Sequence, residues 1–269
     1  MNQDRPCPYC GSVDANIKFF ESPFRVVKCR TCSLVYLGNP PDEGDIYERY
    51  YEGSNFNAAE YCETSRDPSL AELFAINMQR ISRIKNLRAS GTLLDIGCGR
   101  GAFLKTAADQ SFSVEGIDVS EHAITFARNQ FHMNARVDTL ENIVSAGVHY
   151  DVVTLWHVLE HFSNPFESLE LVRSLLKEGG ICVLEVPNLH SLKFLTARRK
   201  WEGGNHPLYH RTFFTQETLR RGLMKAGFSK LHRLNMSYRI PNRNGLYEAV
   251  KGALNWVAMD AFLAFVSRK

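Results

Sequence analysis

The sequence lacks two features that mark membrane and secreted proteins. No apolar run reaches the length of a bilayer-spanning helix without a charge, and the N-terminal segment MNQDRPCPYC has no apolar signal core. The seven cysteines are odd in number and clustered, which suits a reducing compartment and metal binding better than disulfides. We therefore expect a cytoplasmic protein without a transmembrane segment.

The sequence also has little net charge, and the small total of +3 hides an asymmetry. Residues 190–269 contain 15 Lys and Arg against 4 Asp and Glu, whereas residues 1–189 contain 17 against 25. The basic C-terminal region predicts an anionic substrate or surface, although a solvated basic face without a partner fits the charges equally well.

Residues 92–104, TLLDIGCGRGAFL, combine a short apolar strand with a glycine-rich turn. Gly97, Gly99 and Gly101 lie where the strand, which carries Asp95, gives way to apolar residues at helical spacing. Their G-x-G-x-G spacing differs from the G-x-x-G ending of the dinucleotide fingerprint. A ligand at the exposed backbone N–H groups is the favoured interpretation, and a tight turn without a ligand is the alternative.

A second acidic residue follows the next apolar strand. Asp118 lies 21 residues after Gly97, and Ser120 is a suitable N-cap for the helix that comes next. A carboxylate at this point is placed to accept hydrogen bonds from both hydroxyls of a ribose, whereas an unliganded surface Asp is the alternative.

The run DIGCGRG resembles motif I of the class I S-adenosylmethionine (SAM) methyltransferases, and LLKEGGICVLEVPN is similar to the segment after their motif IV. The resemblance implies an α/β fold with a Rossmann-like seven-stranded mixed sheet and helices on both faces. It also implies SAM as the cofactor. The cofactor-binding candidates are Asp95, Gly97, Cys98, Gly99, Gly101, Asp118, Val119, Asp138, Thr139, Leu140 and Trp156. By resemblance the loop at Asp138 touches the adenine ring, but an Asp-Thr pair before a helix is equally typical of a cap.

Residues 150–156, YDVVTLW, predict a buried strand that leads into the segment HVLEH. If this segment is helical, His157, Glu160 and His161 share one face, and an imidazole there could act as a general base toward a hydroxyl. Small-RNA terminal 2′-O-methyltransferases and ubiquinone-pathway O-methyltransferases carry E-x-x-E-H here and bind a divalent cation. His157 replaces the first Glu, which weakens a site for a hard cation. The HVLEH form instead resembles zinc-ribbon methyltransferases of bacterial polysaccharide and secondary-metabolite pathways.

A later loop, WEGGNHPLYHRTFF, adds two histidines. By resemblance it leads into a helix near the mouth of the active site, and Thr215 would cap that helix. His206 or His210 could face the substrate or complete a metal site with His161, and two exposed loop histidines are the alternative. The catalytic candidates are His157, Glu160, His161, His206 and His210.

Two C-x-x-C pairs near the N-terminus predict a zinc ribbon. Cys7 and Cys10 are separated by 18 residues from Cys29 and Cys32, and two short strands of a hairpin lie between them. Four thiolates make a closed tetrahedral site, so we expect a structural zinc; a redox pair is the alternative.

These patterns divide the 269 residues into four parts. We predict a zinc ribbon over residues 1–37, a linker or active-site cover over 38–67, a SAM-binding domain over 68–240 and a helical extension over 241–269. The linker contributes to a tyrosine-rich stretch that comprises Tyr47, Tyr50, Tyr51 and Tyr61. The apolar tail over 246–266 predicts a helix that covers the sheet, forms a homodimer face or makes a peripheral membrane contact.

The predicted function is transfer of a methyl group from SAM to a small, anionic acceptor such as a sugar nucleotide, a lipid-linked sugar or a related metabolite. O-methylation is favoured over C- or N-methylation. One alternative is a cation-assisted RNA terminal 2′-O-methyltransferase, in which the partner is a nucleic acid. The other is a zinc-ribbon scaffold that binds SAM without catalysis.

Overall fold

The computed structural model describes residues 5–21, 24–41, 70–191, 210–234 and 262–268. The strands are β1 (Ala15–Glu21), β2 (Phe24–Cys29), β3 (Val35–Leu37), β4 (Gly91–Ile96), β5 (Phe112–Asp118), β6 (Ala135–Val137), β7 (Tyr150–Trp156), β8 (Leu176–Pro187), β9 (Thr212–Phe213), β10 (Ser229–Leu234) and β11 (Phe262–Arg268). The helices are α1 (Leu70–Lys85), α2 (Ala102–Asp109), α3 (Glu121–Phe131), α4 (Leu140–Ser145), α5 (Pro165–Ser174) and α6 (Gln216–Lys225). A 3₁₀ turn spans Leu159–His161.

Seven strands form one mixed sheet in the order β10-β11-β8-β7-β4-β5-β6. The five strands from β8 to β6 run parallel to one another, whereas β11 is antiparallel to both of its neighbours. This arrangement confirms the predicted Rossmann-like mixed sheet. Because the carboxyl ends of parallel strands meet at one edge of a sheet, the residues that follow β4, β5, β7 and β8 come together there.

Both faces of this sheet are covered because neighbouring strand residues point to opposite sides. Leu93 and Val152 pack with residues of α1 and α2 on one face. Leu94 and Val153 pack with residues of α4, α5 and α6 on the other. All four of these strand side chains are fully buried, so the continuous apolar runs in the sequence correspond to strands of a two-sided core.

The helix ends follow local sequence signals in most places. Ser120 and Thr215 accept hydrogen bonds from the third backbone N–H of α3 and α6, as the sequence predicts. Helix α5 does not reach the Gly179-Gly180 pair. The helix ends at Ser174 because Leu176 pairs with Tyr150 and starts β8. None of the helices in the described ranges is long and apolar enough to cross a membrane.

The N-terminal strands form a second, smaller sheet in the order β1-β2-β3-β9. The predicted hairpin between the cysteine pairs is confirmed as β1 and β2. Its last strand, β9, comes from the C-terminal half of the chain and pairs antiparallel with β3. The small sheet therefore extends beyond the predicted ribbon boundary at residue 37, because β9 completes it.

The predicted C-terminal helical extension is wrong where the structure describes it. Phe262–Arg268 is strand β11, which lies antiparallel between β8 and β10. The open edge of β8 offers backbone hydrogen bonds that an apolar segment can satisfy, and this partner is distant in sequence. The rest of that prediction, the linker cover and its tyrosines lie in residues 42–69 and 235–261, outside the described residues.

Candidate functional site at the carboxyl edge of the sheet

The glycine turn after β4 has three residues in the left-handed region, with φ of +68° at Gly97, +52° at Gly99 and +79° at Gly101. A β-carbon on Gly97 would collide with Val158, and one on Gly101 would lie 2.8 Å from the β-carbon of Ala127. At Gly99 no atom lies within 4 Å of that position. Two glycines are therefore required by packing, and the middle one leaves room for a ligand to approach the backbone.

Asp118, at the end of β5, is bonded directly to this turn. Its Oδ2 accepts a hydrogen bond from the Gly99 N–H (2.8 Å), and its Oδ1 accepts one from the Ser120 N–H (2.9 Å). Burial raises the pKa of Asp118, and these backbone donors oppose the rise. Each carboxylate oxygen retains a second lone pair, so the group can also accept hydrogen bonds from a ribose diol.

Asp95 lies deeper in the sheet, with 1% of its surface exposed. Thr154 donates a hydrogen bond from Oγ1 to Oδ1 of Asp95 over 2.6 Å. Burial raises the pKa of Asp95 to about 7, although Thr154 and the charge of Arg80 oppose the rise. A carboxyl group balanced in this way becomes fully charged when a cationic ligand lies nearby, which fits a cofactor that carries sulfonium and ammonium groups.

The cofactor-binding candidates at Val119 and in the Asp138 loop have different surroundings. Val119 is 47% exposed and offers an apolar surface just beyond β5. Thr139 is the N-cap of α4, and Asp138 accepts a hydrogen bond from Arg136 (2.9 Å), so their side chains already have partners within the protein. Leu140 is buried in the core. Cofactor contacts by the Asp138 loop stay a prediction.

Trp156, at the end of β7, is held between two elements. The Arg80 guanidinium lies 4.4 Å from the indole ring centre, and Phe103 meets the ring edge-on at 5.0 Å. The buried indole N–H has no hydrogen-bond partner among the described residues. It is a donor that a polar ligand at this edge could satisfy.

The HVLEH segment is not the α-helix that would place His157, Glu160 and His161 on one face. His157 has a φ of +58°, and only a 3₁₀ turn follows. The His157 ring instead bridges two carboxylates, with Nε2 2.9 Å from Glu185 Oε1 and Nδ1 3.6 Å from Glu160 Oε1. Burial opposes a charge on His157, but Glu160 and Glu185 outweigh it and raise the pKa to about 9. His157 is therefore a cation at neutral pH.

Glu185 connects this histidine to helix α1. Arg80 donates a hydrogen bond from a guanidinium nitrogen to Glu185 Oε1 over 2.8 Å, and both side chains are buried. The result is an alternating row of charges beneath the carboxyl edge, from Arg80 through Glu185 and His157 to Glu160. The spacing of Arg80 and Glu185 in the sequence gives no sign of this contact.

Glu160, His161 and His210 form a compact cluster. Their ligand atoms all lie within 4.8 Å of one another, and the two imidazole rings are 4.9 Å apart. Burial opposes the charge of Glu160, but His157, His161 and His210 keep its pKa below the usual range. The structure thus brings three of the predicted catalytic residues together. His206 lies outside the described residues.

The four predicted zinc ligands also converge. The Sγ atoms of Cys7 and Cys32 are 3.5 Å apart, those of Cys10 and Cys29 are 3.6 Å apart, and all four lie within 4.8 Å of one another. Zn–S bonds of about 2.3 Å in a tetrahedron separate sulfurs by roughly 3.8 Å, so the cluster fits zinc. In each knuckle the fifth residue, Gly11 or Ser33, returns a backbone N–H to the first cysteine's carbonyl.

A series of hydrogen bonds connects the cysteine knuckles to the cluster of Glu160, His161 and His210. Arg5, which precedes the first knuckle, donates hydrogen bonds to the carbonyls of Ser163 (2.9 Å) and Arg211 (3.1 Å). Arg211 in turn donates its backbone N–H to the carbonyl of Glu160 (2.8 Å). The positions of Arg5 and Arg211 in the sequence give no sign of these contacts, because their partners are carbonyl groups far away in the chain.

Comparisons with known proteins agree with this geometry. Residues 69–233 match the family model described as "Methyltransferase domain". The chain is 28% identical to the ubiquinone biosynthesis O-methyltransferase of Hydrogenovibrio crunogenus, over 54% of this chain and 64% of that protein. It is 30% identical to the same enzyme of Dinoroseobacter shibae, over 54% and 63%. The chain thus spans a little under two thirds of the length of these relatives.

Solved structures of methyltransferases have the same fold as this chain. A SAM-dependent methyltransferase from Archaeoglobus fulgidus has a TM-score of 0.55 at 22% identity, with coverage of 85% of this chain and 100% of that one. The plantazolicin methyltransferase BpumL in complex with SAH has a TM-score of 0.58 at 18% identity, with coverage of 83% and 94%. At these identities the likeness establishes the fold alone.

Proposed function

Because this chain belongs to the methyltransferase-domain family and has the fold of SAM-dependent methyltransferases, we propose that it transfers a methyl group from SAM to a small, anionic acceptor, most favourably at a hydroxyl group. The observation that carries the proposal is the open backbone at Gly99, bonded to the carboxylate of Asp118. A strand–helix turn without a ligand gives no reason for both an unfilled left-handed glycine and a buried acid at its rim.

Within this proposal the chain's residues mainly bind and orient the reactants. When bound, SAM supplies an electrophilic methyl group on a positively charged sulfur. Asp118 accepts hydrogen bonds from the ribose hydroxyls, and Asp95 balances positive charge at the amino-acid end. The protein lowers the barrier by holding the acceptor oxygen in line with the methyl group, which needs position rather than a covalent intermediate.

The acceptor hydroxyl must lose a proton during O-methylation. His157 is a poor acceptor for that proton because the neighbouring carboxylates keep it charged at neutral pH. The ligand atoms of His161 and His210 lie within 4.8 Å of those of Glu160, and these two imidazoles are the other predicted catalytic histidines that the structure places here. We therefore assign the acceptor side of the site to the cluster of Glu160, His161 and His210.

A positive region next to the carboxyl edge supports an anionic acceptor. His190 follows the end of β8, and Lys18 and Lys28 belong to ribbon strands β1 and β2. Burial lowers the pKa of His190, and the charges of Lys18 and Lys28 lower it further, so the three groups lie within electrostatic range. A phosphate or carboxylate on the acceptor would reduce this repulsion.

Calorimetric titration with SAM tests the cofactor assignment. We expect saturable binding to the wild-type chain, and Asp118→Ala should weaken it at least tenfold because two hydrogen bonds to a charged group are lost, each worth about 1.5–3 kcal/mol. Asp109→Ala removes an exposed acid at the end of α2 and is the matched control. Absence of SAM binding at about 1 mM would rule out the proposed activity.

Transfer of a labelled methyl group identifies the acceptor class. Sugar nucleotides and lipid-linked sugars should be methylated. The terminal ribose of RNA should not. Methylation of RNA alone would overturn the small-acceptor proposal. SAM binding without transfer to any of these acceptors would favour the scaffold alternative.

A further inference from the structure

We propose that Arg5 and Arg211 are positioning residues for the acceptor side of the site. They hold the turn that carries Glu160 and His161 at a fixed place beside the segment that carries His210. They act through backbone groups and one serine hydroxyl, so their role differs from that of the histidines themselves.

The Arg5 guanidinium joins three segments that are far apart in the sequence. Its Nε donates a hydrogen bond to the carbonyl of Leu37 on β3 (3.0 Å), and its two terminal nitrogens donate to the carbonyls of Ser163 (2.9 Å) and Arg211 (3.1 Å). Ser163 lies just after the 3₁₀ turn, and Arg211 directly follows His210. A planar group with donors in fixed directions sets the relative position of its acceptors. Arg5 therefore fixes the small sheet, the turn and the segment before β9 against one another.

Arg211 completes this arrangement with both its backbone and its side chain. It is 5% exposed, and its backbone N–H donates to the carbonyl of Glu160 (2.8 Å) while its carbonyl accepts a hydrogen bond from a backbone N–H of β3 (3.0 Å). One guanidinium nitrogen donates to Ser163 Oγ over 2.6 Å. The neighbouring His210 is therefore held beside the turn, and its ring centre lies 4.9 Å from that of His161.

The two arginines are held together at a cost in free energy. Burial and the charge of Arg211 lower the pKa of Arg5 to about 10, because two cations that are largely removed from water repel each other. The guanidinium of Arg5 still carries its charge at neutral pH. A contact that keeps two such charges side by side needs a reason beyond the attachment of one element to another.

A second contact already attaches the ribbon to the large domain. Arg221 and Lys225 of α6 donate hydrogen bonds to the carbonyls of Cys32 (2.6 Å) and Tyr9 (2.8 Å) in the two knuckles. This contact does not involve the turn after β7. Attachment alone is therefore provided by α6, and the specific consequence of the arginine pair is the position of the acceptor side.

The two parts of this inference have different premises. That the two imidazoles serve the acceptor rests on the proposed function. That Arg5 and Arg211 determine where the imidazoles lie does not, because it depends only on the hydrogen bonds of these two residues.

NMR of the imidazole nitrogens in the full-length chain tests this role. The protein is prepared with isotopically labelled histidine, and His161→Gln and His210→Gln assign the two signals. Arg5→Lys keeps the charge but cannot reach three acceptors at once, so it should move both signals. Arg221→Lys makes the same change at the α6 contact and should leave them in place. The signal of His149, which is exposed and lies in the loop after α4, is the internal reference.

Ser163→Ala tests the same network without changing a charge. It removes only the hydroxyl group that accepts a hydrogen bond from Arg211, so the chain should fold, and this variant decides the matter if Arg5→Lys does not fold. We expect the same two signals to move, by less than in Arg5→Lys. Wild-type signals in both variants overturn the proposal. Equal changes in Arg5→Lys and Arg221→Lys also overturn it, because they indicate a general loosening of the ribbon.

Kinetics adds a measurement that a purely structural role would not change. In methyl transfer to a sugar nucleotide, Arg5→Lys should lower kcat at least about tenfold, because a displacement of about 1 Å at the reacting groups is costly. Calorimetry should show wild-type SAM affinity in the same variant, since none of these hydrogen bonds involves Gly99 or Asp118. Unchanged kcat in a variant whose signals have moved overturns the role in the reaction. Absence of SAM binding to the wild type is instead a failure of the proposed function, and the NMR result stands apart from it.

Discussion

The cysteine cluster of the ribbon and the carboxyl edge of the large sheet differ in how they are closed. The four cysteines come from two tight knuckles, and each knuckle is completed by a backbone hydrogen bond within five residues. At the sheet edge, Gly99, Asp118 and Glu160 lie at the ends of three separate strands, and the backbone at Gly99 has open space beside it. A site that only stabilises can be closed and local, whereas a site that receives ligands must stay open and needs support from distant residues.

The largest effect should come from removing two of the four thiols of the cysteine cluster. Cys7→Ser combined with Cys10→Ser removes one knuckle, and we expect complete loss of zinc in native mass spectra. Hydrogen exchange over β1–β3 should then lose its protection, because a unit of this size depends on its metal to fold. Cys182→Ala, in β8, is the control and should keep the zinc ion. A double variant that retains one zinc per chain would contradict the assignment.

The buried ion pair between Arg80 and Glu185 should be the next most sensitive point. Glu185→Gln leaves the buried Arg80 guanidinium without its carboxylate, and the expected loss in free energy of unfolding is about 3–5 kcal/mol. Urea denaturation measures this loss. Glu178→Gln makes the same change at an exposed position of the same strand and should stay within about 0.5 kcal/mol of wild type. Equal effects of the two variants would mean that the row of charges has no structural role.

A smaller effect should depend on pH. The pKa of Asp95 is raised in the folded protein to about 7, so folding is favoured when this carboxyl group is protonated. Its contribution is therefore present below about pH 4 and is lost as the pH rises toward 7. Asp95→Asn should stay neutral and be more stable than wild type at pH 8, by on the order of 2 kcal/mol, with little difference at pH 4.

Urea denaturation at both pH values measures this difference. Asp109→Asn, which changes an exposed acid, controls for the general effect of removing a negative charge. A constant difference between Asp95→Asn and wild type across this range would show that Asp95 has the same pKa in the folded and unfolded chains.

The smallest effect on stability is expected for two glycine substitutions that test whether the open space beside Gly99 receives a ligand. Gly99 and Gly147 both have positive φ, +52° and +68°, and neither has an atom near the position of a β-carbon. An Ala at either position should cost about 1–2 kcal/mol in unfolding free energy. SAM affinity, measured by calorimetry, should fall only for Gly99→Ala, because Gly147 lies in the loop after α4. A fall for both would indicate a general loss of structure instead.

The sequence predicted the elements whose signals are local. The strand β7, the caps at Ser120 and Thr215 and the glycine turn all follow from a few adjacent residues. The convergence of the four cysteines was predicted for the same reason. The assignment of SAM-binding residues stays a prediction, with which the open backbone at Gly99 and the carboxylate of Asp118 are compatible.

Other features depend on partners that a sequence pattern does not name. Strand β11 has an apolar composition that also suits a helix, and its pairing with β8 and β10 makes it a strand. The left-handed backbone of His157 removes it from the face that helical spacing predicts. The Arg80–Glu185 pair and the approach of His210 to Glu160 depend on tertiary packing, so spacing along the chain cannot reveal them.

The pairing of β3 with β9 also constrains how the protein is made. The knuckles and the first three strands leave the ribosome early, whereas β9 follows only after the whole parallel sheet has been synthesised. During that interval β3 presents an unpaired edge, which is a place where two nascent chains can associate wrongly. Fast synthesis of the middle of the chain, or a chaperone that covers this edge, should therefore raise the yield of correctly assembled protein.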